Sequence, residues 1–267
     1  MQPEWALEDV DLTRPSIARA YDFYLGGSHN FEIDREFARA AIAMMPNIPE
    51  TMRAQRAYLR RAVRHLCSQG VNQFLDIGSG IPTVGNVHEV AQLADPAARV
   101  AYVDIDPVAV AHSRYLLRDN PQATAIRGDL RQPDVILTDQ RVQAIIDFTR
   151  PVAVIVVGML HFITDEADPG AIIGRISRAL APGSHVVMSH ATGDSQPEQS
   201  RQVQDHSRKL PNQIWFRSRE QIAAMFAGLT PVEPGVVWLS QWRPDAPEDV
   251  PDDPQRHSGY AGVFRRD

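Results

Sequence analysis

Beyond residue 72 the chain alternates short apolar runs with longer stretches in which apolar positions recur every three to four residues. That alternation is the mark of strand–helix–strand units and a parallel sheet. Strands are predicted at residues 73–77, 99–104, 123–127, 152–158 and 185–190, with helices at about 84–93, 107–118, 138–148 and 169–180. The run Val152-Ala153-Val154-Ile155-Val156-Val157 has no polar alternation, as expected of a central strand covered on both faces. The polar segment 193–211 reads as a loop plus helix over one sheet edge. Ser218-Arg219-Glu220-Gln221 is a capping-box pattern for a helix through Phe226. Strands at 236–239 and 260–264 finish the chain, separated by the exposed, Pro- and Asp-rich stretch 243–254.

The first 70 residues show helical periodicity instead. A helix at 16–25 places Ile17, Ala20, Tyr21, Tyr24 and Leu25 on one face and stops at Gly26-Gly27. A second starts near Asp34 as N-cap, carries Phe37, Ala41 and Met44 on one stripe, and meets Pro46 and Pro49. The third, 50–69, buries Leu59, Ala62, Val63 and Leu66, while Arg53, Arg56, Arg60 and Arg64 form its other face. Those arginines suit either a solvated face or a docking surface for an anionic substrate or cofactor carboxylate, through Arg53 or Arg56. We read residues 1–70 as a helical cap belonging to the same domain as the α/β body, 71–267.

Composition narrows the function classes. The 267 residues are 43% hydrophobic and 22% charged, an ordinary globular balance, and the formal net charge of −6 argues against a partner held through phosphate contacts. Cys67 is the single cysteine and reads as a small core residue rather than part of a disulfide framework. The acidic first 16 residues resemble no signal peptide, and the longest apolar run, 152–160, falls short of the ~20 residues that span a bilayer. A cytoplasmic protein with neither nucleic-acid nor membrane partner is expected; oligomeric state is not legible.

The chemistry concentrates in residues 73–83. An apolar strand ends in Asp76-Ile77, Gly78-Ser79-Gly80 permits a tight turn with backbone close to a ligand, and Pro82 suits the first turn of a helix. Asp104 ends the next strand, where doubly wound folds, roughly 20 residues on, place an acid that accepts from ribose hydroxyls. A dinucleotide site would have glycine where Thr83 stands, and Asp76 would repel a pyrophosphate. S-adenosylmethionine, with an ammonium group, a sulfonium, a ribose and no phosphate, fits Asp76, Gly78, Ser79, Gly80 and Asp104 better than NAD. Asp129 follows the third strand and can accept from an adenine amino group while Leu130 packs on the ring; a turn or N-cap role is its plainer use.

In this order of acids and glycines the sequence resembles the class I S-adenosylmethionine-dependent methyltransferases over roughly residues 72–190. A narrower likeness runs through Arg19-Ala20-Tyr21-Asp22-Phe23-Tyr24-Leu25-Gly26-Gly27 with Asn30 and Asp34, Gly158-Met159-Leu160-His161-Phe162, Arg217-Ser218-Arg219-Glu220, Glu233-Pro234-Gly235 and Trp242-Arg243-Pro244-Asp245. These segments are similar to the bacterial family called domain of unknown function 574, or methyltransferase type 19. The resemblance implies an α/β, Rossmann-like class I methyltransferase fold: a mostly parallel seven-stranded sheet, helices on both faces and an N-terminal helical cap. It implies S-adenosyl-L-methionine as cofactor and S-adenosyl-L-homocysteine as product, and little about the substrate; an unidentified small-molecule acceptor and no metal are our own expectation. Its implied cofactor residues are Asp76, Gly78, Ser79, Gly80, Asp104, Ile105, Asp129, Leu130 and Gly158. Pro82 departs from the pattern, standing where the usual motif has its last glycine.

Methyl transfer to an activated carbon requires alignment and exclusion of water, and a base only where the acceptor must lose a proton. His161 is the best-placed base, with His190 second, and Tyr21, one turn from Tyr24, can close over the site. Packing roles serve these residues equally well. Trp242 and Arg243 either border the acceptor or anchor their loop. A non-catalytic sensor of the same nucleoside shares the whole motif set, and an NAD-dependent oxidoreductase is disfavoured by Asp76 and Thr83.

Overall fold

The structure is a computed structural model that describes residues 11, 13–82, 85–208 and 213–267. Three helices come first: α1 (Ile17–Tyr24), α2 (Glu32–Met44) and α3 (Ile48–Ser68). Strands and helices then alternate as β1 (Gln73–Ile77), α4 (Val87–Ala94), β2 (Arg99–Asp104), α5 (Pro107–Leu116), β3 (Ala123–Arg127), α6 (Pro133–Thr138), α7 (Gln140–Ile145), β4 (Ala153–Val157), α8 (Pro169–Ala179) and β5 (His185–Ala191). The chain ends with α9 (Pro197–Ser207), α10 (Arg219–Ala224), β6 (Thr230–Pro231), β7 (Val237–Trp238) and β8 (Gly259–Arg265). The sheet runs β3-β2-β1-β4-β5-β8-β6, with β7 also on β8. The strands β1 to β5 are mutually parallel, and β8 is antiparallel to β5, β6 and β7. Strand order reverses between β1 and β4, the switch point at which open α/β sheets bind ligands beyond the strands' carboxyl ends.

Alternation along β1 decides what faces what. Leu75 and Ile77 join Val103, Val154, Val156 and Met188 in a core that also buries Ile136 of α6, Ile172 and Ile176 of α8 and Ile222 of α10. Phe74 joins Val100, Tyr102 and Ile155 on the opposite face, against Tyr58, Leu59, Ala62 and Val63 of α3 and Ala91 of α4. By the same period Asp76 and Asp104 belong to the face that α3 covers.

The differences from expectation are local. The sheet has eight strands rather than seven. The helix expected at 138–148 is the shorter α7, and an unpredicted short helix, α6, precedes it; Asp139 ends α6 and caps α7, accepting from Arg141 N and Val142 N. Asp34 is not the N-cap of α2: Phe31 occupies that position, and the Asp34 carboxylate reaches back to Phe31 N at 2.9 Å. Pro82 does not start α4, which begins at Val87 after Asn86. Thr83 and Val84, which the sequence placed at the helix start, lie outside the described residues. Among the described residues no helix is long and apolar enough to cross a membrane.

Candidate cofactor and acceptor site

The glycine turn is laid onto the end of β2. Gly78 N and Ser79 N donate to Val103 O at 2.7 and 3.2 Å, and Gly80 N donates to Asp104 Oδ2 at 2.8 Å. Gly78 and Gly80 have φ of +79° and +68°, conformations that strain any side chain, and a Cβ on Gly78 would collide with Met159. Asp104 also accepts from Asp106 N at 2.8 Å. Its carboxyl is pushed up to about 6 by burial and by the neighbouring Asp106, although the backbone donors pull the other way. Ile105, next in the chain, is half exposed beside it.

Asp76 is buried, and no described residue donates a hydrogen bond to it. Burial lifts its carboxyl to about 7; Arg56 opposes this and Asp104 adds to it. Gly158 follows β4 with φ of +73°, and a Cβ there would lie 2.7 Å from Gln55 Nε2. Asp129 is held by Arg131 through paired contacts of 2.9 and 2.6 Å. Burial raises its carboxyl, but the Arg131 hydrogen bonds and charge outweigh that and leave it lowered. Leu130 turns into the core.

The N-terminal helices meet these strand ends through side chains. Ser189 Oγ of β5 donates to Gln55 Oε1 at 3.0 Å, and Gln55 Nε2 reaches the Tyr21 hydroxyl at 3.4 Å. Tyr21 donates in turn to Met52 O at 3.4 Å. Burial raises the Tyr21 phenol, opposed by Arg56 and supported by Asp76, so this ring sits among the same charges. Gln55 and Ser189 are the contacts that sequence reasoning missed.

His161 lies on a short 3-10 turn, Leu160–Phe162, just beyond β4. Arg217, itself buried, holds that turn by donating to Leu160 O at 3.1 Å, Ile163 O at 2.8 Å and Asp165 Oδ1 at 2.6 Å. It also reaches His190 Nε2 at 3.1 Å, so His190 accepts there and donates through Nδ1 to Ala191 O at 2.6 Å. The His161 and His190 rings lie 5.7 Å apart. Burial and the Arg217 charge drive His161 down to about 3, and burial with His161 beside it takes His190 well below its ordinary value. Both imidazoles are therefore neutral near pH 7. Arg217 was visible in the sequence only as the neighbour of a helix cap.

Two expectations fall away. Trp242 does not border an acceptor pocket: it is fully buried against Tyr58 and His65, with ring centroids at 5.5 and 5.7 Å. The arginine face of α3 is not one surface, since Arg64 pairs with Asp245 at 2.5 Å, Arg53 and Arg60 are exposed, and the half-buried Arg56 donates to Gly85 O at 3.5 Å.

A doubly wound sheet with a glycine turn, two buried acids at its switch point and a helical cover defines a Rossmann-like protein of the methyltransferase type. Over residues 3–267 the sequence matches the family described as S-adenosyl methyltransferase, and the chain belongs to that family. It is similar to a crystal structure of a candidate methyltransferase from Thermobifida fusca YX, with 40% identity, TM-score 0.92 and 99% of each chain covered. It is likewise similar to a DUF574 family protein from Streptomyces avermitilis MA-4680, with 35% identity, TM-score 0.91, and 96% of this chain and 99% of that one covered. An S-adenosylmethionine-dependent methyltransferase from Methanosarcina mazei shares the fold at 12% identity and TM-score 0.50, over 73% of this chain and 92% of its own. No curated protein matches the sequence.

Proposed function

We propose that the protein transfers the methyl group of S-adenosylmethionine to a small-molecule acceptor, with residues 1–70 forming a cap on the same domain as 71–267. The observation that carries this reading is Asp76, a buried carboxylate with no described donor, at the end of the strand that leads into the glycine turn, with the buried acid Asp104 bonded to that turn through Gly80 N. An unpaired buried carboxylate is costly and calls for a cationic ligand group. The residues fit the cofactor. Asp76 would take the ammonium group, Asp104 the ribose hydroxyls, Ile105 an adenine face and Asp129 its amino group, with Gly78, Ser79, Gly80 and Gly158 allowing close backbone approach; Leu130, turned into the core, would support that wall from behind.

The cofactor supplies an electrophilic methyl carbon; the chain supplies alignment and a dry site. Tyr21 and His161 are both tied to the end of β5, the first through Gln55 and Ser189 and the second through His190. A neutral His161 orients an acceptor by hydrogen bonding. With its conjugate acid near 3 it removes a proton only weakly. The reading is tested by titrating S-adenosylmethionine and S-adenosylhomocysteine calorimetrically and by screening small acceptors with a tritiated methyl donor. No binding at millimolar ligand rejects the cofactor; binding to a partner protein without labelled product rejects catalysis in favour of a sensor.

The two raised acids predict a pH dependence. Their ionised forms hold an ammonium group and ribose hydroxyls far more strongly than their protonated forms, so affinity rises with pH through about 6 and about 7 and levels off above. Below both values each further pH unit costs up to roughly tenfold per carboxylate. Stability of the free protein moves oppositely. Both groups bind protons more tightly folded than unfolded, so their contribution is complete below the unfolded value of about 3.9 and is lost as pH rises through the folded values. Calorimetry and thermal melts from about pH 5 to 8.5 measure both slopes; a flat dissociation constant over that interval removes Asp76 and Asp104 from the site.

A further inference from the structure

One buried cation gathers the loops at the carboxyl ends of β4 and β5. Arg217 is 5% exposed, and all five N–H groups of its guanidinium are used. Nε and Nη2 donate to Asp165 Oδ1 at 3.1 and 2.6 Å, Nη2 also to Ile163 O at 2.8 Å, and Nη1 to Leu160 O and His190 Nε2, each at 3.1 Å. Two residues upstream, Trp215 N donates to His161 O at 2.8 Å. The turn that carries His161 is thus gripped before, at and after that residue from one short segment. Lysine could not do the same, because its ammonium has three donors for the four acceptors.

The bond to His190 goes beyond what stapling the turn requires. A guanidinium N–H meets only a lone pair and a carbonyl only an N–H, so the Nδ1 contact to Ala191 O at 2.6 Å puts the His190 proton on Nδ1. Both nitrogens are spoken for, and the residue is 1% exposed. His161 stands edge-on to that ring, centroids 5.7 Å apart, with the Phe162 ring at 4.3 Å. Its Nδ1 is buried and has no hydrogen-bond partner among the described residues, while the residue as a whole is partly exposed, which leaves Nε2 open to a ligand. Orphaned buried N–H groups are rarer in folded proteins than orphaned acceptors, so the proton belongs on Nε2. The charged and titratable groups around the pair are Arg217, its partner Asp165 and the other imidazole; burial beside that cation keeps both rings from gaining a proton near neutral pH.

We infer that Arg217 is a positioning residue for the acceptor side of the site: by locking His190 and the 160–163 turn it makes His161 present an Nε2–H donor, and not a base's lone pair, to the methyl acceptor. The inference rests on the methyl-transfer reading, which puts His161 beside the acceptor, and adds what His161 does there. A donor at that place suits an acceptor that arrives with its lone pair already free, as an oxyanion or an unprotonated nitrogen. An acceptor that must first give up a proton finds no base in either imidazole.

Long-range proton–nitrogen correlation spectra of protein with nitrogen-15 in its imidazoles read each tautomer directly, with no acceptor present; His161→Gln and His190→Gln assign the two rings. In the wild-type protein, from about pH 5 to 8.5 and so across the ordinary imidazole range, His190 is expected as the Nδ1–H form and His161 as the Nε2–H form, neither becoming an imidazolium. Arg217→Met is expected to release both: His190 becomes a mixture of tautomers, and the His161 titration moves up toward about 6.5. Arg217→Lys, with the charge but not the fork, is expected to lie between. A role confined to stapling the loops would lower the melting temperature and leave the tautomers unchanged, and that result in folded Arg217→Met overturns the inference. Wild-type His161 found as the Nδ1–H form, or as an imidazolium near pH 7, overturns it without any Arg217 variant having to fold. Absence of S-adenosylhomocysteine binding in calorimetry is a separate failure: it removes the methyl-transfer reading, and the acceptor role with it, whatever the tautomers show.

Discussion

Asp104→Ala is expected to weaken S-adenosylmethionine binding by ~1.5–3 kcal/mol, roughly 10- to 150-fold, the size of charge-assisted hydrogen bonds lost at a ribose. The effect has two sources that a second variant separates. The carboxylate organises the loop as well as facing the ligand, because Gly80 N and Asp106 N each donate to it at 2.8 Å. Alanine leaves both donors without their acceptor, at about 1–3 kcal/mol for each that stays buried. Asp104→Asn keeps an acceptor oxygen but loses the charge and half the acceptor capacity. Because Gly80 N and Asp106 N use different carboxylate oxygens, the amide strands one donor where alanine strands two, so the melting temperature should fall less than in Asp104→Ala while most of the affinity is lost. Titration calorimetry beside thermal denaturation measures the two separately. An unchanged dissociation constant in either folded variant would remove Asp104 from the ribose assignment.

What could be read from the sequence follows from how local its cause is. The strands β1, β2 and β3 match the predicted 73–77, 99–104 and 123–127 residue for residue, because each is a short apolar run bounded by polar turns. By contrast β6 is two residues long and exists through pairing with β8, so nothing in its own composition marks it, whereas β7, equally short, falls inside the strand predicted at 236–239. The helical period read across 138–148 belongs to α7 alone and does not reveal α6 before it; Asp139, its carboxylate turned back on the backbone, separates the two. The same distinction governs the site. Asp76 and Asp104 are legible as acids ending apolar strands, whereas Gln55 meets Ser189 across 134 positions and Arg217 meets His190 across 27. The different surroundings of Arg56 and Arg64 on α3, one half-buried and bonded to Gly85 O and the other exposed and paired with Asp245, come from the elements packed on that helix, and a helical stripe of arginines cannot reveal them.

The segments around Arg19, Asn30 and Asp34, which carry so much of the family likeness, act as fasteners, and breaking them gives the second large expected effect. Arg19 and Asp34 are buried and joined at 2.8 Å, and Asp34 also accepts from Ser16 N and Phe31 N, each at 2.9 Å. Arg19 reaches within 3.7 Å of Asp106, which accepts from the Ser16 hydroxyl and caps α5 through Val108 N at 2.7 Å. The α1–α2 unit is thus pinned to the corner between β2 and α5, two residues from Asp104. Asp34→Ala strands the Arg19 charge in a buried place, a change worth about 3–5 kcal/mol. Because the N-terminal helices can open while the sheet stays folded, the loss should appear first as local opening. Amides of residues 17–44 are expected to exchange faster, with those of β1 and β4 little changed. Cofactor affinity should fall as well, since Tyr21 rides on α1 and reaches the site through Gln55. The double variant Arg19→Met/Asp34→Leu removes both charges together and should recover most of the protection, as apolar replacement of a buried pair does elsewhere. Protection unchanged in Asp34→Ala, or worse in the double variant than in the single, would show that the pair does not hold this unit to the sheet.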